Sequence, residues 1–306
     1  MNKKMLQSAI PYLGLVIVIV LFAVLTQGKS MDGSNWKLII EQALTLLICS
    51  AGVMFVMTMG SLDFSQGSIV GLACYVAAVV SSFSIPLAIV AAVGVGAGIG
   101  LLNGVMHAKF KIQSFIVTMC TMFIFRGLVV FFTSNFRVET PYAIYDYDNL
   151  VGKFIVMAAI VAAGFIVFRF TKLGRQVRAI GSGEIAAAYS GVNVDRTKVL
   201  AFVIAGALAG VAAFFALVRT GSATAQTGNL TETNVMIALV LGGLSVSGGA
   251  RSNYMAVIIG AMMLTCLTNG LVLIGADPIT QQLIKGIIFL LCIIITTDRK
   301  SGLISK

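Results

Sequence analysis

An all-α, polytopic membrane protein of about ten transmembrane helices is the fold class the sequence predicts, and three observations predict it. Hydrophobic residues make up 58% of the chain and charged residues only 10%, against about 25% charged in soluble domains, and the mean hydropathy is +1.01. Apolar runs of membrane-crossing length recur from one terminus to the other. Lysine and arginine collect in alternate connecting loops.

The first apolar run, 11–26, follows Lys3 and Lys4. No A-x-A-like cleavage site follows Leu25 and more runs come after it, so it reads as an uncleaved first helix rather than a signal peptide. Runs at 38–59, 86–106 and 113–133 are each long enough to cross a bilayer, whereas 67–83 is shorter and glycine-rich. Runs at 153–170 and 199–219 flank the longest loop. The eighth run, 234–248, is again short and glycine-rich, and 254–274 and 279–297 complete a single transmembrane domain over 1–306.

With the N-terminus inside, the inner segments hold Lys3, Lys4, Lys109, Lys111, Arg169, Lys172, Arg175, Arg178, Arg196, Lys198, Arg251, Arg299, Lys300 and Lys306, and the outer ones only Lys29, Lys37, Arg137, Lys153 and Arg219. Cytoplasmic loops collect these residues, so both termini are expected in the cytoplasm. The net charge of +10 then suits an anionic lipid leaflet and calls for no nucleic acid.

Cys49, Cys74, Cys120, Cys266 and Cys292 all fall in apolar runs without C-x-x-C spacing and read as small packing residues. His107, the only histidine, has no second histidine or carboxylate cluster to make a metal or acid–base site. The stretch AVLTQGKS at 23–30 misses a phosphate-loop pattern only at Ala23. It lies outside the membrane with no strand, helix or acidic metal ligand to complete a nucleotide site. Any ATP would have to be hydrolysed by a partner.

The inner loop 172–193, KLGRQVRAIGSGEIAAAYSGVN, predicts a short helix from Glu184 to Tyr189 with an acid in its first turn and Gly191 after its last. Ala186, Ala187 and Ala188 give it a smooth surface. It is either a connector between two spans or a helix that slots into a groove on another subunit.

The stretch GSLDFSQGS at 60–68 interrupts an apolar region and carries an acid with no lysine or arginine beside it. It agrees with GGLSVSGGA at 242–250 at Gly60/Gly242, Leu62/Leu244, Ser65/Ser247 and Gly67/Gly249, a divergent internal repeat. Irregular backbone survives at membrane depth only where protein or a water-filled cavity surrounds it, and glycine-interrupted helices point to a transport pathway. One reading is a plain cytoplasmic turn with Asp63 in water. The preferred one is a broken helix that brings Asp63, Ser65 and Gln66 to a pathway or its inner gate. Arg126 and Lys285 each lie roughly 9 Å below the outer surface at about 1.5 Å per helical residue. They either snorkel to that surface or line a polar outer vestibule, with Glu41 as a candidate counter-ion.

Five motifs, three of them in the stretches just quoted, together resemble the ribose, xylose and galactoside permease family of ATP-binding-cassette importers. The family's G-G-I-D-L-S-x-G is similar to Gly60, Leu62, Asp63, Phe64, Ser65 and Gly67, with Ser61 in place of the second glycine. Its N-G pair and following T…R-G helix are similar to Asn103 and Gly104, then Thr118, Arg126 and Gly127. The loop pattern G-R-x-x-x-A-I-G…A-A-x-x-S-G is met by Gly174, Arg175, Ala179, Ile180, Gly181, Ala187, Ala188, Ser190 and Gly191. Gly242, Gly243, Ser245, Gly248 and Gly249 match G-G-x-S-x-x-G-G, and Asn269, Gly270 and Leu271 match N-G-L. Departures are Ser114, where a proline commonly precedes F-I-x-T, and Gly183, where the loop has asparagine.

The resemblance runs from about residue 38 to the C-terminal helix and implies a permease subunit of the cytoplasmic membrane that binds no cofactor of its own. Its implied partners are a second permease copy, a cytoplasmic ATPase docked at about 172–198 through Arg175, Gly181, Glu184, Ala187, Ala188 and Gly191, and an extracytoplasmic solute-binding protein. The implied solute is a monosaccharide, a pentose or hexose, with nucleosides and signalling sugars as variants. Few buried charges and scattered groups such as Thr58, Asn103, Thr118, Asn234, Ser245, Ser247 and Asn269 suit a neutral polar compound along the pathway. An ion-coupled transporter or channel is the alternative; a membrane enzyme lacks a visible nucleophile, metal site or carboxylate pair.

Overall fold

The computed structural model of the chain describes residues 3–136, 138 and 140–296, and among them twelve α-helices and no strand. In chain order they are α1 (Lys3–Leu25), α2 (Gly33–Thr58), α3 (Gln66–Ser81), α4 (Ile85–Lys109), α5 (Ser114–Asn135), α6 (Leu150–Phe170), α7 (Lys172–Ser182), α8 (Glu184–Tyr189), α9 (Val194–Thr220), α10 (Thr231–Leu241), α11 (Met255–Leu273) and α12 (Pro278–Thr296). Each of the ten apolar runs holds one helix, and the short helix expected over Glu184–Tyr189 forms with those bounds. Arg137 and the C-terminal Arg299, Lys300 and Lys306 lie outside the described residues.

Six helices (α2, α4, α5, α6, α9 and α11) are long and apolar enough to cross a membrane. The other four apolar stretches are shorter: Ile10–Leu25, Gln66–Ser81, Thr231–Leu241 and Pro278–Ile294. At about 1.5 Å per residue, α3 reaches roughly 24 Å and α10 roughly 16 Å, short of a hydrocarbon core of about 30 Å. The eighth run therefore needs correcting. Its helix covers Thr231–Leu241 rather than 234–248, because Gly243 (φ 93°) and Gly248 (φ 69°) turn the chain into conformations an L side chain resists.

Hydropathy without polar periodicity marks helices that face lipid or core all round, and position in the bundle separates them. In α2 and α11, 72% of the apolar window is buried, against 11% in α6, so the first pair forms the centre and α6 turns outward. The α4–α9 contact is made by small residues: Gly96, Gly100 and Gly104 share one face of α4, and a Cβ at Gly96 or Gly100 would collide with the carbonyl of Gly206 or Phe202. Such stripes let helices approach where water supplies no driving force.

One end of the bundle carries α7 and α8. There Lys111 pairs with Asp195 at 2.6 Å and Lys198 with Glu184 at 2.7 Å. The 27-residue α9 starts at this end and reaches the far end at Thr220. Four cysteines pack as expected, Cys49, Cys74 and Cys266 buried and Cys292 partly so, while Cys120 is exposed on α5.

Candidate functional site

Two interruptions organise the interior. The first joins α2 to α3 over residues 59–65, where Gly60 takes a φ of 76° and the chain runs without helix to Gln66. Its amide groups cannot follow a helical pattern, and side chains serve them instead. Leu62 N–H donates to Ser114 Oγ at 3.1 Å, Phe64 N–H to Thr118 Oγ1 at 3.1 Å and Ser65 N–H to Asp63 Oδ1 at 2.9 Å. The Asp63 carboxylate also accepts from the Ser65 hydroxyl at 2.5 Å and from Gln66 Nε2 at 2.6 Å, and Asn103 Nδ2 of α4 donates to Ser65 Oγ at 2.8 Å. Asp63 is 1% exposed, and Ser65, Gln66 and Asn103 not at all. A buried carboxylate persists where hydrogen bonds replace its water, and this one has three donors within its own segment.

Ser114, where the family's proline would stand, thus supplies the acceptor for Leu62. His107 joins the same shell, with Nε2 3.3 Å from Ser61 Oγ and Nδ1 2.7 Å from the Ile112 carbonyl.

The second interruption joins α9 to α10 over residues 221–230. It turns back into the bundle far enough that a Cβ on Gly67, at the start of α3, would collide with Glu232 and the Gly228 carbonyl. The N-termini of the two half-length helices α3 and α10 therefore meet. Arg126 of α5 spans the meeting point: Nη1 donates to the Thr227 carbonyl at 3.1 Å, Nη2 to that of Gly228 at 3.1 Å, and Nη2 lies 3.7 Å from Glu232 Oε2. Arg126 is therefore turned inward rather than snorkelling. Its counter-ion is Glu232, which corrects the expectation of Glu41; that residue is half-buried on α2 and makes no ion pair among the described residues.

Beside this knot, toward the far end, lies a cavity of about 670 Å³ lined by α2, α3, α9, the 221–230 segment, α10, α11 and α12. That volume is within the range of about 300–1,000 Å³ for small-molecule sites. Eleven of its nineteen lining residues carry an uncharged hydroxyl or carboxamide, among them Gln42, Thr45, Gln226, Asn229, Asn234 and Thr265; Arg219 and Lys285 are the charged ones. Of the three residues expected in an outer vestibule, Lys285 lines this far-end cavity, and Arg126 and Glu41 do not.

The other expected pathway residues are distributed differently. Asp63, Ser65, Gln66 and Asn103 come together as a sealed cluster beside the cavity, with Gly67 at its edge. Asn269 is buried, accepting from Asn35 Nδ2 at 3.0 Å, and ties α11 to α2. Ser245 is half-buried and Ser247 exposed in the turn after α10. The two similar stretches do meet: Gly249 N–H donates to the Thr58 carbonyl at 3.0 Å, and a Cβ on Gly60 would sit 2.9 Å from the Ser247 carbonyl oxygen.

In the 172–193 region, Arg175 is exposed and Gly181 packs so tightly on the end of α2 that a Cβ would collide with the Thr58 carbonyl. Gly191 ends α8 with a φ of 83°. Ala187, expected on a docking surface, is 4% exposed and packs into its own chain. The outward face is Ile185, Ala188 and Tyr189, because α8 turns Ala187 inward. A groove of about 420 Å³ runs beside it, lined also by Lys111, Glu184 and Asp195.

Sequence reading misses Glu232 and most of the cavity wall. The available signal is TGSATAQTGNLTETN at 220–234, fifteen residues with one large apolar side chain, Leu230, between two apolar runs.

Comparison with known proteins places the chain in a family. The model of the family described as branched-chain amino acid transport system / permease component matches residues 37–293, and the chain belongs to that family. It is 32% identical over 308 residues to the ribose import permease protein RbsC of Bacillus subtilis, covering 97% of this chain and 94% of that one. It is 31% identical over 309 residues to the galactose/methyl galactoside import permease protein MglC of Haemophilus influenzae, with 92% and 91% covered. With the ribose import permease protein RbsC of Escherichia coli the identity is 29% over 302 residues, with 94% and 93% covered. No solved structure matches. The motif resemblance is borne out, and with its apolar helices the chain is a multi-pass membrane protein.

Proposed function

We propose that the chain is the membrane-spanning permease subunit of an ATP-binding-cassette importer that carries a small neutral hydroxylated solute across the cytoplasmic membrane. The solute class is a monosaccharide such as ribose or a related pentose or hexose. The observation that carries this reading is the far-end cavity, whose walls are chiefly hydroxyls and carboxamides and hold no aspartate or glutamate. Such walls can exchange hydrogen bonds with a polyol one for one. Relatives named for ribose and galactose import agree with it.

On this reading the chain is one domain with ten spans and both termini in the cytoplasm, and it pairs with a second permease copy. A binding protein delivers solute at the far end, and the Asp63 cluster closes the route below the cavity. An ATPase docks on α8, whose Ile185 and Tyr189 stand 74% and 90% exposed. Gly181, Thr58 and Gly249 carry the movement of α7 to the start of the 59–65 interruption. A cation-coupled transporter would need a free carboxylate in the path; the cavity wall holds no aspartate or glutamate, and the Asp63 oxygens are already occupied by neighbouring donors.

Uptake into proteoliposomes tests this reading. It should require a co-reconstituted ATPase and persist when proton and sodium gradients are collapsed with ATP maintained, and Ala188→Arg should abolish ATPase co-purification while the permease still folds. Gradient-driven uptake by the chain alone would refute the proposal.

A further inference from the structure

We propose that Arg126 is a positioning residue for the solute cavity: it holds the Thr227–Gly228 backbone, and so the wall the 221–230 segment presents, in the shape the solute meets. The inference rests on the cavity being the solute site. Arg126 itself does not line the cavity. Thr227 and Gly228 do, and the two guanidinium nitrogens reach their carbonyl oxygens at 3.1 Å each.

Three features make this more than a satisfied buried arginine. The carbonyls belong to an interruption between helices, so no helical ladder fixes them and their direction depends on the donors they find. The guanidinium is a rigid planar fork that presents two donors at once, so it fixes the orientation of two successive peptide groups, which a lysine ammonium cannot do. Its third contact, Glu232 at 3.7 Å, stands in the first turn of α10, the helix that the interrupted segment leads into. The amide end of that helix favours the carboxylate.

The packing around the knot leaves little room for another arrangement. A Cβ at Gly228 would collide with the Gly67 carbonyl, and one at Gly71 would sit 2.9 Å from the Thr227 oxygen. Thr224 N–H donates to Thr227 Oγ1 at 2.9 Å and Asn229 Nδ2 to Gln226 Oε1 at 3.1 Å, so residues 224–229 form a self-bonded unit. Arg126 ties that unit to α5 through two main-chain oxygens rather than through a side chain. Losing the guanidinium should therefore release the unit as a whole and turn Gln226, Thr227 and Asn229 away from their places in the wall.

The test combines amide hydrogen exchange of the purified permease in nanodiscs with uptake by the reconstituted importer. Arg126→Met should raise exchange across 221–230 by roughly tenfold or more, as expected when charge-assisted hydrogen bonds are removed. Exchange in α4 and α9 should stay at the wild-type level, and the uptake rate should fall by a similar factor. Arg126→Lys, which keeps the charge and much of the volume, should leave the segment loosened and uptake impaired, so the effect does not depend on the harsher variant folding. Unchanged exchange in 221–230, loosening that spreads equally into α4 and α9, or local loosening with normal uptake would each overturn the positioning role. Asn234→Ala combined with Thr265→Ala separates this inference from the reading beneath it. Normal uptake in that variant sinks the cavity as the solute site, and the exchange result still decides whether Arg126 holds the segment.

Discussion

The two interrupted crossings solve one physical problem in opposite ways. Both must satisfy main-chain groups that a helix would have paired internally. The 59–65 segment does so dry, with Ser114, Thr118 and Asp63 accepting from its amides and no exposed polar atom at the centre of the cluster. The 221–230 segment does so partly wet, bonding to itself and to Arg126 while Thr224, Gln226 and Asn229 remain exposed along a cavity. In a dry segment every missing partner is an uncompensated desolvation, whereas in a wet one water can substitute. The first interruption is thus built to hold one shape. The second leaves polar side chains open to the cavity, which under the proposed function is where the solute meets them.

The largest expected effect comes from the dry side. Asp63→Ala should leave the Ser65 amide, the Ser65 hydroxyl and the Gln66 amide group without acceptors, at about 1–3 kcal/mol for each buried donor. Much of the folded protein should be lost, read as a large drop in thermal stability in detergent. Asp63→Asn, which keeps an acceptor oxygen, should recover part of it. Full stability in Asp63→Ala would mean the cluster is wetter than its burial implies, and the contrast between the two crossings would fail.

A smaller effect on folding, but a larger one on transport, is expected on the wet side. Asn234 and Thr265 line the cavity on α10 and α11. Asn234 is half-buried, so Asn234→Ala should leave thermal stability nearly unchanged, within about 0.5 kcal/mol, because water takes the place of its side chain; Thr265, 5% exposed with its hydroxyl bonded to the Ala261 carbonyl, should cost more when replaced by alanine. Uptake at limiting solute should fall by roughly tenfold, since a site built to bond a hydroxyl loses the partner it offered. If stability drops while uptake stays normal, the cavity is a packing defect rather than a site.

How far the sequence discloses these two regions follows from where their partners lie. The ten apolar runs and the helix over Glu184–Tyr189 are legible because hydropathy and capping are local properties. The break at GSLDFSQGS is legible too, since glycines, serines and a lone acid depart visibly from their surroundings, and the partners of Asp63, Ser65 and Gln66, are two and three residues away. Its burial is not legible, because the lid over it is Asn103, Ser114 and Thr118 from two other helices. Arg126 is harder still. Its carbonyl partners are 101 and 102 residues along the chain, and an arginine in an apolar helix fits snorkelling equally well. The polar run 220–234 reads as an ordinary outer loop, since nothing local says that it folds back to meet Gly67. The burial of Ala187 is illegible for a similar reason: six helical residues do not reveal which side the rest of the chain covers.

The smallest effect gives the sharpest comparison, because it removes the same chemical group from both crossings. Ser114 Oγ accepts from Leu62 N–H at 3.1 Å in the dry interruption, and Thr227 Oγ1 accepts from Thr224 N–H at 2.9 Å in the wet one. Each is one side-chain hydroxyl serving one main-chain amide outside a helix. Ser114 is 8% exposed, and its removal strands an amide that water does not reach, so Ser114→Ala should cost about 1–3 kcal/mol. Thr224 is exposed, so Thr227→Ala should cost no more than about 0.5 kcal/mol. Chemical denaturation of the two purified variants in the same detergent measures the difference directly. Because the deleted groups are alike, a shared stability loss would show that burial does not distinguish the two segments, whereas a gap in the expected direction isolates water access as the property that separates them. Restoring the family's proline sharpens the point further. Ser114→Pro supplies no acceptor for Leu62, so any stability it regains over Ser114→Ala must come from the fixed backbone at the first turn of α5, where proline's missing N–H is not needed.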